Sequence, residues 1–351
     1  MMKALVLEEF KKPLVVRNMP DPDLSPEGVI IRVEANGVCR SDWHAWQGDW
    51  DWIGIKLPLP HVLGHEFSGV VEEVGKEVKN FKKGDRVIVP FTIGDGSCPY
   101  CKSGHHNICE NIQMPGFSSW GGFGRFAHVP NADTNLTQLP ESISFVEAAG
   151  MGCRFMTAFH GVTDQARVGA GEWVAVHGCG GVGLSAIQIA TALGANVIAV
   201  DIGDDKLEFA KQLGAVEAVN ASRNNVPEAI KQITKGGADV SIDALGIKQT
   251  CQASVFSLRK RGRHLQIGLT TREEEGMIPL PIDVIVQHEI EVIGSLGMQP
   301  SRYPYMLEMV EKGKLKPGSL ITNTISLEEA PKVFNEMDTY KNLGVTVVNK
   351  W

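Results

Sequence analysis

The stretch Gly37–His44, GVCRSDWH, sets a thiol, a guanidinium, a hydroxyl, a carboxylate and an imidazole within six positions, directly after an apolar run. Packing gives no reason to gather such groups, because each costs free energy to bury without a partner. A metal site with a proton path beside it does. Cys39 offers a thiolate, while Ser41 and His44 offer a hydroxyl and an imidazole that titrates near neutral pH. Farther along stand His65 in LGHEFSG and Cys153 in GMGCRFMT. Three protein ligands of this kind, with a fourth position left open, are the pattern of a catalytic zinc. His61 and His65 in PHVLGHE do not form a helical zinc pair: the order is H-x-x-x-H-E, and Pro60 and Gly64 disfavour a helix there.

A second cluster lies in GDGSCPYCKSGHHNIC, where Cys98, Cys101 and Cys109 make a C-x-x-C pair with a third cysteine eight residues on. This is a zinc-knuckle spacing that needs a fourth donor. Asp95, three residues before Cys98, continues the beat and is the favoured ligand, with His106 as its rival. Four protein ligands close the coordination shell, so this zinc would be structural.

HGCGGVG carries a third signal: Gly178, Gly180 and Gly183, with Gly181 and Val182 between them, form G-x-G-x-x-G between a strand and a helix. Such glycines let the backbone approach a pyrophosphate seated on the helix N-terminus. Asp201 ends the next strand, where a carboxylate accepts hydrogen bonds from ribose hydroxyls and repels a 2′-phosphate. Ile202, Gly203, Asp204 and Asp205 follow it, with no arginine, so the pattern selects NAD over NADP.

These groups need two kinds of scaffold. Up to Gly150 the chain is β-rich, with VIIRVEANGV, FSGVVEEVG and DRVIVP as short β-branched runs between Gly, Pro and Asp. Beyond it, EWVAVHG, NVIAVD, VEAVN, ADVSIDAL, GRHLQIG and EIEVIGS alternate with helical patterns, which implies a doubly wound parallel sheet. PYMLEMVEKGKL and VTVVNKW read as a helix and a strand returning to the first domain. The expected division is a zinc-binding domain over 1–152, completed by 298–351, and a nucleotide domain over 153–297. A chain of 351 residues suits two domains. With 41 acids against 34 bases, its net charge of −7 gives no electrostatic case for nucleic acid or anionic membranes and suits a small ligand. The N-terminus lacks a signal-peptide pattern and no run of 18 apolar residues occurs. A cytoplasmic setting follows, in which the seven cysteines stay reduced and clustered ones point to metal.

Taken together, the chain resembles the zinc-dependent medium-chain alcohol dehydrogenases over essentially its whole length. GHE-x-x-G-x-V (Gly64, His65, Glu66, Gly69, Val71) and C-R-S-D-x-x-H carry the resemblance. It implies an α/β protein with a GroES-like β-rich catalytic domain and a Rossmann-type domain. The implied reaction is oxidation of primary or secondary alcohols to aldehydes or ketones, and the reverse, with hydride transfer to NAD. The family pattern gives two zincs per subunit, with Cys39, His65 and Cys153 matching the catalytic ligands. Glu66 matches a carboxylate behind the metal that can swing in, Asp42 the partner of the ligand histidine, and Ser41 and His44 the proton relay. Arg40 matches a pyrophosphate contact, Thr157 and Val182 residues beside the nicotinamide, and Lys206 one near the adenosine ribose. Members are dimers or tetramers, and the lack of a large insertion in the first domain favours a homotetramer.

Three features depart from the pattern. Asp95 stands where most members carry a cysteine. Arg154 follows the third ligand at a position usually small or apolar, and the sequence gives no account of it. GVTVV lacks an arginine found there in some members, leaving Arg40 more of the pyrophosphate. Trp43, Trp46, Trp50 and Trp52 crowd the segment after Cys39, with Trp120 farther on; they either line a pocket for bulky or aryl alcohols or simply pack. A zinc-free quinone reductase would lack the metal residues, and a non-catalytic nucleotide-binding protein would have no need of Ser41 and His44.

Overall fold

The structure, a computed structural model, describes residues 1–50, 54–339 and 342–351; Trp52 lies outside them. The described residues form two units. One comprises Met1–Met156, Gly297–Gly313 and Pro317–Trp351, the other Thr157–Leu296 with Lys314–Lys316.

The first unit is β-rich. Strands β1 (Met2–Val6) and β2 (Val15–Met19) pair with each other. A seven-stranded sheet is built on β3 (Val29–Val38), with β4 (Phe67–Val74), β5 (Arg86–Ile88), β6 (Phe126–Val129) and β7 (Thr137–Gln138). Val29, Ile31 and Val33 alternate along β3 and meet Phe67, Val71, Val87, Ala127 and Val129 on one buried face, as a period of two requires. A second core joins Leu5, Leu7, Trp46, Trp50, Phe117, Phe123 and Phe334.

The second unit is an open parallel sheet. Strands β8 (Trp173–His177), β9 (Asn196–Asp201), β10 (Glu217–Asn220), β11 (Ala238–Asp243), β12 (Leu258–Gln266) and β13 (Glu291–Gly294) run in the order β10-β9-β8-β11-β12-β13. Every pairing is parallel, and the order reverses between β8 and β11, the place where such sheets open a crevice for a ligand. This is the doubly wound sheet expected from the alternating pattern.

The chain then returns to the first sheet, where β14 (Ile321–Ser326) lies parallel to β15 (Val345–Lys350) and β15 pairs antiparallel with β3. β14 went unread in the sequence because Thr322, Asn323 and Thr324 are exposed in succession and give no alternation.

Candidate active site and metal centres

Strand register assembles the first cluster. Asn36 of β3 pairs with Phe67 of β4, and the Gly37 N–H donates to the Glu66 carbonyl at 2.8 Å. The end of one strand is thereby tied to the start of the next, bringing Cys39 beside His65 and Glu66. Gly152 lets Cys153 come equally close, since a Cβ there would stand 2.5 Å from Cβ of Glu66. Ligand atoms of Cys39, His65, Glu66 and Cys153 lie within 4.8 Å of one another.

Cys39 also caps the helix Arg40–Gln47, and Asp42 at its third position closes a capping box. The fully buried Asp42 accepts from Cys39 N–H at 3.2 Å, Gly64 N–H at 3.0 Å and His65 Nδ1 at 2.8 Å. A carboxylate only accepts, so Nδ1 carries the hydrogen and Nε2 presents a lone pair. That Nε2 is buried with no hydrogen-bond partner. An imidazole lone pair aimed at two thiols is the donor set of zinc, and this orphaned atom shows that the residues fit the metal. The hydrogen bond from Cys153 draws the Cys39 thiol well below its ordinary value, while the same bond and burial push Cys153 well up. Burial lowers His65, but Asp42 and Cys39 outweigh it and raise the net value.

Ser41 and His44 stand three residues apart on the same helix, hence on one face. His44 Nδ1 meets Asp49 Oδ2 at 2.9 Å, and the ring stacks on Trp50 at 5.2 Å. Asp49 was not read from the sequence. Its signal is Gly48, a left-handed cap (φ 67°) that turns the chain back so that Asp49 N–H bonds to the His44 carbonyl. Arg40 stacks on Trp43 at 4.0 Å and donates to the Met337 carbonyl. Phe117 and Phe91 pack against His65 at 5.1 and 5.9 Å, and Trp50 lies 6.2 Å from Phe117. Trp46 belongs to the core, its indole N–H donating to the Lys12 carbonyl. Arg154, the unexplained cation, binds Glu66: its backbone N–H and Nε reach Oε1, and a terminal N–H reaches Oε2. Burial, opposed by Arg154, raises Glu66 to about 7.

In the second cluster, ligand atoms of Asp95, Cys98, Cys101 and Cys109 also lie within 4.8 Å of one another, and His106 is not in that group. Among the described residues, the half-buried Ile112 is the one further apolar side chain in the cluster of the three cysteines. So little apolar contact cannot by itself order a loop, whereas a four-coordinate metal can. Backbone N–H groups of Asp95 and Asn111 already point at Cys109 Sγ, at 3.4 and 3.3 Å. The Asn111 amide, at 2.7 Å, and the N–H groups of Ser97 and Cys98 keep the Asp95 carboxyl far below its ordinary range.

In the second unit, Gly178 follows β8 with φ 95°, a conformation that favours glycine, and a Cβ on Gly183 would fall 1.7 Å from the Gly178 carbonyl oxygen. Gly180 begins the helix Gly181–Ala192 with no side-chain cap, and a Cβ there would meet nothing within 4 Å. The first N–H groups of this helix, at Gly181 and Val182, have no side-chain cap, and the open space at Gly180 leaves room for a pyrophosphate. Asp201 at the end of β9 accepts from Cys179 N–H at 2.8 Å, binding the glycine turn to the strand, and from Ile202 and Gly203 N–H. Lys206 follows in the helix Asp204–Gln212, and Thr157 buries a hydroxyl without a partner.

A β-rich, mostly antiparallel unit bearing two metal-ligand clusters, and a doubly wound unit with a glycine turn, define the class of zinc-binding dehydrogenases. Residues 25–141 match the alcohol dehydrogenase GroES-like domain, and residues 181–312 match the zinc-binding dehydrogenase domain. An alcohol dehydrogenase of Geobacillus stearothermophilus is 38% identical over 96% of each chain, and an NAD-dependent alcohol dehydrogenase of Sulfurisphaera tokodaii is 35% identical over 99% of each. Among solved structures, an alcohol dehydrogenase from Thermus sp. ATN1 has a TM-score of 0.91 at 30% identity, covering 100% of both chains. The chain belongs to the zinc-dependent medium-chain alcohol dehydrogenase family. No helix among the described residues is long and apolar enough to cross a membrane.

Proposed function

We propose that this protein interconverts primary or secondary alcohols and the corresponding aldehydes or ketones with NAD, at the cluster of Cys39, His65 and Cys153. The observation that carries this reading is the unpartnered His65 Nε2 beside two buried thiols. In this reading the β-rich segment 1–152, completed by 298–351, is the catalytic domain, and 153–297 binds NAD.

Zinc held by Cys39, His65 and Cys153 supplies a Lewis acid for the substrate oxygen. NAD, held at Gly178, Gly180, Gly181, Val182, Gly183 and Asp201 with help from Arg40, Thr157 and Lys206, supplies the hydride acceptor. Asp42 fixes the His65 tautomer so that Nε2 stays a ligand. Ser41 Oγ takes the proton of the substrate hydroxyl and passes it to His44 Nε2. Asp49 holds the opposite ring nitrogen, which leaves Nε2 as the accepting atom. In the reverse direction the same two groups return a proton. Asp95, Cys98, Cys101 and Cys109 hold the structural zinc.

Phe91, Phe117 and Trp50 around His65 and His44 favour bulky or aromatic alcohols over polyols, since aromatic walls reward apolar area. A homo-oligomer, a tetramer by the family pattern, is supported by the open edge strand β13 with Val292 exposed, and by the helix Ile282–His288 that precedes it, with Ile282 60% and Val286 69% exposed. A cytoplasmic setting accords with seven unpaired cysteines.

Zinc per subunit, measured alongside NADH formation from benzyl alcohol, tests this reading. Two zincs with activity are expected, and a zinc-free protein that still binds NAD would overturn it. In a substrate panel, a strong preference for short alcohols or sorbitol would refute the aromatic pocket.

A further inference from the structure

Arg154 stands where the sequence offers no reason for a cation, and its side chain, 9% exposed, meets a wholly buried Glu66. Nε at 2.9 Å and the backbone N–H at 3.1 Å occupy Oε1, while a terminal N–H occupies Oε2. Both carboxylate oxygens are therefore committed. The fold has made room for this pair. A Cβ on Gly37 would come within 2.4 Å of Glu66 Oε2 and 3.0 Å of Arg154, and Gly152 presses on the Glu66 side chain from another side. Yet a Glu66 oxygen lies within 4.8 Å of the ligand atoms of Cys39, His65 and Cys153. One carboxylate thus has two competing destinations, the guanidinium and the metal.

We propose that Arg154 is a positioning residue whose forked hold keeps Glu66 off a metal bound by Cys39, His65 and Cys153, and that release of this hold sets how fast the metal exchanges. The inference rests on the catalytic-zinc reading above. Opening a buried charge pair leaves both ions uncompensated, so the hold opens rarely. Its strength depends on the planar fork, which matches two oxygens at once. An ammonium keeps the charge but cannot span both.

The test follows zinc release to a chromophoric chelator from wild type, R154K, E66Q and R154K/E66Q, with zinc content and circular dichroism recorded first. In R154K, one of the two zincs should leave about tenfold faster than in wild type. E66Q should release it more slowly than wild type, and R154K/E66Q should match E66Q. Equal release from R154K and wild type overturns the proposal. So does an acceleration that survives removal of the carboxylate, because that reflects loosened packing. Should R154K fail to fold, wild type against E66Q decides: slower release from E66Q supports the hold and equal release refutes it. A wild-type protein with no zinc at Cys39, His65 and Cys153 is a different failure, that of the catalytic-zinc reading itself.

Discussion

Asp42 does three things with two oxygens: it caps a helix, anchors Gly64 and orients His65. Asp42→Ala should therefore weaken the catalytic metal site about 10- to 100-fold while leaving the other zinc in place, measured as zinc retained against graded chelator. His44 titrates below its ordinary value because burial disfavours the cation and Arg40 repels it, with Asp49 and Cys39 pulling the other way. A relay base works when neutral, so activity falls as pH drops through this lowered value. Asp49→Asn removes a raising contact and should move the acid limb of kcat/KM to lower pH; an unmoved limb removes Asp49 from the relay. At this scale the sequence was readable where one segment holds the chemistry, as in Cys39–His44. It was silent where partners are distant. Glu66 and Arg154 are 88 positions apart and meet only through the β3–β4 register and the Gly152 turn. The tryptophans were ambiguous for a related reason: the sequence places them near the site, but only packing shows Trp46 and Trp50 together in one core, with Trp50 also stacked on His44.

The glycine turn and β8 show what an element as a whole must satisfy. Gly183 allows the helix to start against the end of β8, and any Cβ would meet the Gly178 carbonyl oxygen. Gly183→Ala should abolish NAD binding by calorimetry, and retained affinity would show that the turn can yield. At the last position of β8, His177 is wholly buried with Nε2 unpartnered, and burial, aided by His264, lowers it to about 3. The unfolded chain takes up a proton near pH 6.5, whereas the folded chain resists until about 3. Stability is thus fully present above 6.5 and declines as pH falls towards 3, by about 2 kcal/mol from this group at pH 5. Denaturant unfolding of wild type and His177→Gln at pH 7 and pH 5 checks this: the variant should lose less stability across that interval. Strand alternation made the parallel sheet legible in advance. β14 escaped because Thr322, Asn323 and Thr324 are exposed in succession and so break the alternation that one solvated face would give.

For the molecule as a whole, the knuckle is a test of what metal adds to folding. Three cysteines and Ile112 make a core too small to hold the segment from Asp95 to Cys109. Cys98→Ser should bring the protein down to one zinc and lower its thermal midpoint by several degrees, as loss of a few kcal/mol does in a chain of this size. An unchanged midpoint would show that the loop stands without its ion.

The sheet that frames Cys39 closes only when β15 pairs with β3, matching Val347 to Gly37 and Val348 to Asn36. During translation the whole of Thr157–Leu296 emerges between these two strands. The second unit can thus mature on the ribosome while the first sheet waits, its border at Asn36–Val38 unpaired, for β15. A nascent chain stalled before Val345 therefore carries Cys39 on a sheet whose border at Gly37 still lacks its partner strand.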